Sequence, residues 1–539
     1  MTPTPQKRER LYLFDTTLRD GAQTMGVDFS VEDKRQIALA LDVLGLDYIE
    51  GGWPGANPTD TAFFAERPPL TRARFTAFGM TKRSGRSADN DPALAQVLNA
   101  DVDAICLVGK TWAYQVDVAL GIPRHENVEN ISRSIEAVAS KGREPLFDAE
   151  HFFDGYKADP DYALTCIRAA HEAGAKWIVL CDTNGGTMPE GKGPQKLDAY
   201  SIVSEIKAKL PDANLGIHAH DDTGQAVAVS LAAVRAGVRQ IQGTLNGLGE
   251  RCGNANLCTL IPNLMLKVPY AYDFEIGIST EGLARITHVS RLLDEILNRA
   301  PGRHAPYVGP SAFAHKGGLH SSAVLKDPAT YEHVKPESVG NVRVIPVSDQ
   351  SGRSNVLARL AEAGIAIDPK DDRVSRLLDA IKTREYQGYA YDGAEASFEL
   401  LALRALGQVP QYFDIESYKV TVERKKGVTI SEGTVQLDVA GEKLTNVGRG
   451  NGPVNALDAA LRADLGKYSS VLADLWLVDY KVRILTSGTE AVTRVMVESV
   501  DGKGRRWSTV GVSENIVDAS FEALTDSIIY KLYRDGAKA

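Results

Sequence analysis

Cysteine is scarce in this chain: five residues in 539, Cys106, Cys166, Cys181, Cys252 and Cys258. None stand as C-x-x-C, so there is no thiolate metal knuckle, and an odd, sparse set is no disulfide framework. They read as small buried apolar residues of a reduced protein. Positive charge is in deficit too: 61 Lys and Arg against 70 Asp and Glu leave a net charge of −9, which excludes a whole-surface field for nucleic acid. No apolar run approaches the ~18 residues of a membrane span. The opening MTPTPQKRERLYLF has neither the apolar core nor the small-residue cleavage site of a secretory signal. The expectation is a cytoplasmic protein with no nucleic-acid and no membrane partner.

What is present is ordinary globular sequence, 43% hydrophobic and 24% charged, and long enough for two or three domains. Short apolar runs alternate with amphipathic stretches up to about residue 270. The runs are LYLFDTT (11–17), DYIEGGW (47–53), RFTAFGM (74–80), DAICLVG (103–109), EPLFDAE (144–150), KWIVLCDT (176–183), NLGIHAH (214–220) and RQIQGTL (239–245). Each is too short for a core helix and precedes a helix-like segment, with Ser30 set to start one helix and Gly45 and Gly237 to close two others. Eight strand–helix units match a (β/α)8 TIM barrel over 8–275. A doubly wound dinucleotide fold would carry its glycine fingerprint after the first strand, but that turn reads TTLRDGAQ. Residues 276–412 read as a helical linker or lid region. Residues 413–539 read as an α+β domain for regulation or dimerisation, in which strands then a helix occur twice. In its first half two strands, SYKVTVERK and VTISEGTVQLDVA, precede a glycine loop that opens the helix at GRGNGPVNALDAAL (448–461). That loop is either an anion site at a helix N-terminus or a tight turn.

Barrel active sites gather at strand C-termini, and three polar constellations fall there. FDTTLRDGAQ supplies Asp15, Arg19 and Asp20. His218-Ala219-His220 puts two imidazoles on one face of a strand, with Asp221 and Asp222 behind them. Two histidines and an aspartate suit a borderline or hard divalent ion. GTLNGLGERCGNANL offers the amides of Asn246 and Asn254, and a pair of Glu250 with Arg251. Taken singly, each motif also reads as a surface ion pair, a core pair or a turn. Their common placement at strand ends is what favours a site.

DTTLRDG with Gln23, His218-x-His220 and GLGERCGN, in that order, resemble the metal-dependent isopropylmalate, homocitrate and citramalate synthase family, whose barrel is shared with hydroxymethylglutaryl-CoA lyase. The resemblance spans the chain, because those synthases also carry a helical linker and a C-terminal regulatory domain. YIEGGWPGANPTD, FDAEHFFDGY and DTNGGTMP lie nearest the citramalate-forming branch of isoleucine biosynthesis. Gly51-Gly52-Trp53-Pro54 is the departure, where other branches read more like IEVGFP.

The resemblance implies a synthase joining acetyl-CoA to a 2-oxo acid, pyruvate on the branch named. It places the divalent ion (Mn, Mg, Zn or Co) on Asp20, His218, His220 and Asn254, with Asn246 as a competitor. Arg19, Gln23 and Thr183 would hold the oxo acid. Linker His320 would be the base, assisted by Glu150, with Tyr331 beside it. It further implies a homodimer or higher oligomer with composite sites, and isoleucine as an allosteric inhibitor. Asp15 is expected to support Arg19 or the metal shell, and His151 and His315 to be structural.

Overall fold

The structure is a computed structural model and describes residues 8–191, 197–345, 352–486 and 491–538. It divides into two compact units, Met1–Phe313 with Val334–Val342, and Ala314–His333 with Arg343–Ala539.

In the first unit, among the described residues, eight parallel strands close a barrel. They are β1 (Tyr12–Asp15), β2 (Tyr48–Glu50), β3 (Arg74–Met80), β4 (Ala104–Lys110), β5 (Glu144–Glu150), β6 (Trp177–Asp182), β7 (Leu215–Ala219) and β8 (Gln240–Gly243). β8 pairs back onto β1, with Tyr12 opposite Gln240. Seven of the eight expected runs contain their strand and β4 runs one residue past its run, to Lys110, but several runs overshoot at the C-terminal end. There the chain leaves the ladder at Thr16, Gly51, Thr183 and His220 to build the mouth of the barrel.

Local signals set the surrounding helices. Ser30 caps α1 (Val31–Leu44) through a reciprocal pair of bonds with Asp33, and Gly45 ends it at φ 107°. Gly237, at φ 124°, ends α2 (Ala226–Ala236). Apolar side chains of these helices and the strands' outer faces form one buried core, which also takes in Ile286, Val289 and Leu293 of α3 (Ile286–Ile296). A smaller core inside the barrel, of Phe14, Tyr48, Cys106, Leu146, Trp177 and Val179, plugs its floor. Side chains alternate along a strand, so the inward positions climb from apolar to polar. On β5 they run Leu146, Asp148, Glu150; on β7, Gly216, His218, then His220 just past the strand. The cysteines are free, and four are buried as expected; Cys252, in the glycine-rich mouth loop, is exposed.

In the second unit, helices Arg353–Glu362, Asp372–Tyr386 and Glu395–Ala405 enclose Val356, Leu360, Val374, Leu377, Ile381 and Phe398. After them come two three-stranded antiparallel sheets, each followed by a helix. The first holds β9 (Asp414–Lys425), β10 (Val428–Val439) and β11 (Glu442–Gly450), then α4 (Pro453–Ala463). The second holds β12 (Leu475–Ile484), β13 (Thr493–Asp501) and β14 (Arg506–Ser513), then α5 (Ile516–Arg534). The duplication is therefore complete, and β11 corrects the expectation of two strands in the first half. Its pattern hides it, because Asn446 is buried on the inner face while Val447 points out, 53% exposed. A Cβ on Gly448 would overlap Ala460 of α4. The inner face is polar and small because a helix backbone lies directly on it.

Candidate active site

The turn after β1 is held by its own side chains. The Asp15 carboxylate accepts from Thr17 N (2.9 Å) and Thr17 Oγ1 (2.7 Å), and Thr17 Oγ1 accepts from Leu245 N (2.8 Å), tying the turn to the loop after β8. Asp15 thus supports the turn and does not bond Arg19. Burial pushes its carboxyl up to about 7, against the pull of the Thr17 bonds. The partner of Arg19 is Glu50, at the end of β2: Arg19 Nε donates to Glu50 Oε2 at 2.7 Å, and Thr16 Oγ1 donates to the same oxygen. The guanidinium lies 4.0 Å from the Phe78 ring centroid. With Nε occupied and the ring beneath it, Arg19 is fixed in place before any ligand arrives.

Asp20, His218 and His220 converge. Asp20 Oδ2 lies 3.1 Å from His218 Nε2 and 3.7 Å from His220 Nε2, and the two Nε2 atoms are 3.3 Å apart. All three residues are buried, and their ligand atoms lie within 4.8 Å of one another. Burial alone would raise the Asp20 carboxyl, but Arg19 and His218 hold it well below the usual carboxylate range. Burial and the neighbouring His218 push His220 down to about 3, so it is neutral with a lone pair free.

The glycine-rich loop after β8 brings Asn254 into this group. Gly253, at φ 96°, packs so tightly on Gly247 O that no Cβ fits. The loop folds back and bridges His220 to Asn254. Asn254 Nδ2 donates to Leu248 O at 3.2 Å, while its Oδ1 is buried with no hydrogen-bond partner among the described residues. A buried amide oxygen without a donor is costly and is what a metal would satisfy. The donor set of one carboxylate, two imidazoles and one amide oxygen fits a divalent ion. Asn246 is drawn away instead, its side chain bonded to Ser290 O, Ser290 Oγ and Asp294 on α3.

Arg19, Asp20, Gln23, Glu150, Thr183, His218 and His220 line one cavity of about 270 Å³. Thr183 Oγ1 accepts from His151 N at 2.8 Å, which leaves its hydroxyl hydrogen free to donate. His151 itself adopts φ 52° and its Nδ1 pairs with Asp154 at 2.9 Å, a structural role. Arg251 bonds Asp222 and Thr183 O at 2.7 Å, and stands 3.6 Å from its expected partner Glu250. His320 and Tyr331 belong to the second unit. There their rings stack with centroids 4.2 Å apart, and His315 meets Glu332 at 3.4 Å.

Four residues at the site escaped sequence reasoning: Glu50, Lys110, Asp148 and Gln242. Lys110 Nζ pairs with Glu150 at 2.6 Å. Gln242 bonds both His218 and Asp148. The available signal was a polar residue at the inward register of an apolar strand, as in YIEGG, FDAE and RQIQG.

A closed (β/α)8 barrel with an Asp-His-His cluster and a fixed arginine at its mouth defines a barrel enzyme built for divalent-metal chemistry. Family models agree along the chain: HMGL-like over 10–289, homocitrate synthase post-HMGL domain-like over 307–388, and LeuA allosteric (dimerisation) domain over 392–532. The chain belongs to the HMGL-like family and, within it, to the (R)-citramalate synthases. It is 49% identical to the (R)-citramalate synthase of Aquifex aeolicus over 98% of both chains. It is 48% identical to that of Geobacter sulfurreducens over 97% of both. It is 47% identical to that of Synechocystis sp., over 98% of this chain and 97% of the relative.

Proposed function

We propose that this chain condenses acetyl-CoA with pyruvate and water to (R)-citramalate and CoA, in the cytoplasm, as a step toward isoleucine. The observation that carries the reading is the partnerless Asn254 Oδ1 beside Asp20, His218 and His220, in a mouth that also presents Arg19 and Thr183. Those four ligands would hold the ion, for which Mg, Mn, Zn and Co all suit a mixed nitrogen and oxygen set. When bound, the ion supplies Lewis acidity that polarises the keto group of the oxo acid.

The chain's own groups do the rest. Arg19, tied to Glu50 through Nε, keeps its other N–H groups for the keto oxygen. It remains a fixed cation, because Glu50 and Asp20 keep it protonated against the cost of burial. Thr183 donates its hydroxyl hydrogen to the oxo-acid carboxylate, and Gln23 borders the same end of the cavity. His320 removes a proton from the acetyl methyl group, with Glu150 assisting and Tyr331 stacked on the imidazole to orient it. The resulting enolate carbon attacks the keto carbon of pyruvate. Water then cleaves the thioester, releasing CoA and making the sequence effectively irreversible. The C-terminal domain would join copies into a homodimer or higher oligomer, with isoleucine as its inhibitory ligand.

The test is acetyl-CoA-dependent thiol release with pyruvate, 2-oxoisovalerate, 2-oxoglutarate and oxaloacetate at equal concentration, with and without a chelator. Pyruvate is expected to give the highest kcat/KM and chelation to abolish it. A higher kcat/KM with another oxo acid refutes the substrate and leaves the chemistry standing. No release with any of them after metal is restored refutes the condensation.

A further inference from the structure

Two glutamines, Gln240 and Gln242, point into the barrel from β8, and both are buried. Their hydrogen bonding differs. Among the described residues both side-chain polar atoms of Gln240 are without a partner, whereas both of Gln242 are engaged. Gln242 Nε2 donates to Asp148 Oδ1 on β5 at 3.0 Å, and its Oε1 faces His218 Nδ1 on β7 at 2.7 Å. The three side chains form a line across the barrel directly beneath the metal-type cluster.

This line has a direction. Asp148 Oδ1 is an acceptor, so the amide must turn Nε2 toward it and Oε1 toward His218. A carbonyl-type oxygen at Nδ1 requires the ring hydrogen to sit on Nδ1. Nε2, which lies 3.1 Å from the Asp20 Oδ2 acceptor, is then the nitrogen whose proton a metal ion would replace. Ligand histidines are commonly oriented this way by a carboxylate or a backbone carbonyl. An amide does the same without adding charge to a mouth that already holds Asp20, Glu50, Asp148 and Glu150. His220 has no such support among the described residues: its Nδ1 is buried with no partner there.

We propose that Gln242, oriented by Asp148, is a positioning residue that locks His218 in its Nδ1–H tautomer and so prepares Nε2 as a metal ligand. The proposal rests on the metal reading of the site given above. His218 is then the preset imidazole of the pair, and His220 the one that adapts to the ion.

The test titrates MnCl2 calorimetrically into the full-length protein stripped by chelator, and compares Gln242→Met with the double variant Gln242→Glu, Asp148→Asn. Met fills the same space without an acceptor and is expected to weaken Mn binding about 10–100-fold. Glu keeps an acceptor toward His218, and the amide of Asp148→Asn donates to its other oxygen, so the pair is expected to stay within a few-fold of the parent. Nitrogen-15 spectra of histidine-labelled apo protein read the tautomer directly. His218 Nδ1 is expected to carry a proton in the parent and in the Gln242→Glu, Asp148→Asn pair, whether or not Nε2 is protonated toward Asp20, and the neutral ring of Gln242→Met to be a mixture of tautomers. Equal Mn affinity of parent and Gln242→Met, or an unchanged His218 tautomer, overturns the proposal. A parent that binds no Mn overturns the metal reading, and the proposal with it. Should Gln242→Met fail to fold, Asp148→Asn removes the direction of the amide. It is expected to weaken Mn binding several-fold, and unchanged affinity again overturns the proposal.

Discussion

Asp15 shows how one buried carboxyl shapes a site without touching its chemistry. It braces Thr17, and through Thr17 the loop after β8, from a fully buried position. With its folded value raised to about 7 and an unfolded value near 3.8, the sign of its effect follows. Below about pH 4 the group is neutral in both states and costs nothing. As pH rises toward 7 the unfolded chain gains by ionising while the folded chain does not, so stability falls across that window. Asp15→Asn lacks this penalty. Its melting temperature relative to the parent is expected to rise between about pH 4 and pH 7 by calorimetry and then level off, and a flat difference across that window would refute the buried-acid account. Glu50, also buried, acts differently, because its charge is answered by Arg19 at 2.7 Å and by the Thr16 hydroxyl.

Among the elements, the helix-on-sheet contacts of the C-terminal domain depend on glycines. Gly448 on β11 and Gly511 on β14 occupy matching places in the two halves, each beneath the backbone of the following helix. A Cβ would overlap Ala460 in one case and Ala519 in the other. Backbone cannot give way as a flexible side chain does, so Gly448→Ala and Gly511→Ala are each expected to cost about 1–3 kcal/mol or more. The loss should appear as a lower denaturation midpoint for the C-terminal domain. Loss of stability no greater than that of Gly452→Ala, whose site is open and whose φ is −157°, would show that the helices can move away. β11 itself explains why strand patterning is an incomplete guide, since its buried face carries Asn446 and Gly448 rather than apolar residues. The barrel strands were legible because their buried faces are apolar on both sides except at the mouth.

For the molecule as a whole, the uncovered strands point to association. β12 runs antiparallel to β13 with Val482 opposite Val495 and Ile484 opposite Thr493. Opposed residues share a face of the sheet, and Val495 is fully buried while Val482 and Ile484 are 43% and 67% exposed. In the first sheet Val422 of β9 stands opposite the buried Ser431 and is likewise exposed. In each half the helix covers the last two strands; on the first, Tyr480 and Tyr418 still reach α5, and the strand beyond them is left exposed. On the dimer reading, this apolar strip is where a second copy packs. Val482→Lys with Ile484→Lys is expected to lower the molar mass measured by light scattering toward that of a single chain. An unchanged mass would move the interface elsewhere.

Much of this was written in the linear order of residues. Alternating apolar runs, glycine and serine punctuation and the ends of eight strands specified the barrel. His218 and His220 were legible because strand periodicity and strand ends are local properties, whereas Asp20 was assigned as a ligand through the resemblance. Gln242, Asp148, Glu50 and Lys110 were not. Each is an ordinary polar residue until the barrel closes, when strands distant in sequence bring β8 against β7 and across to β5. The choice of Asn254 over Asn246 was also tertiary. Both lie in one glycine-rich loop, and only the fold of that loop leaves one amide oxygen buried without a donor while α3 engages the other. Local sequence selects elements through propensity and pattern, but a partner's identity depends on which elements come to lie side by side.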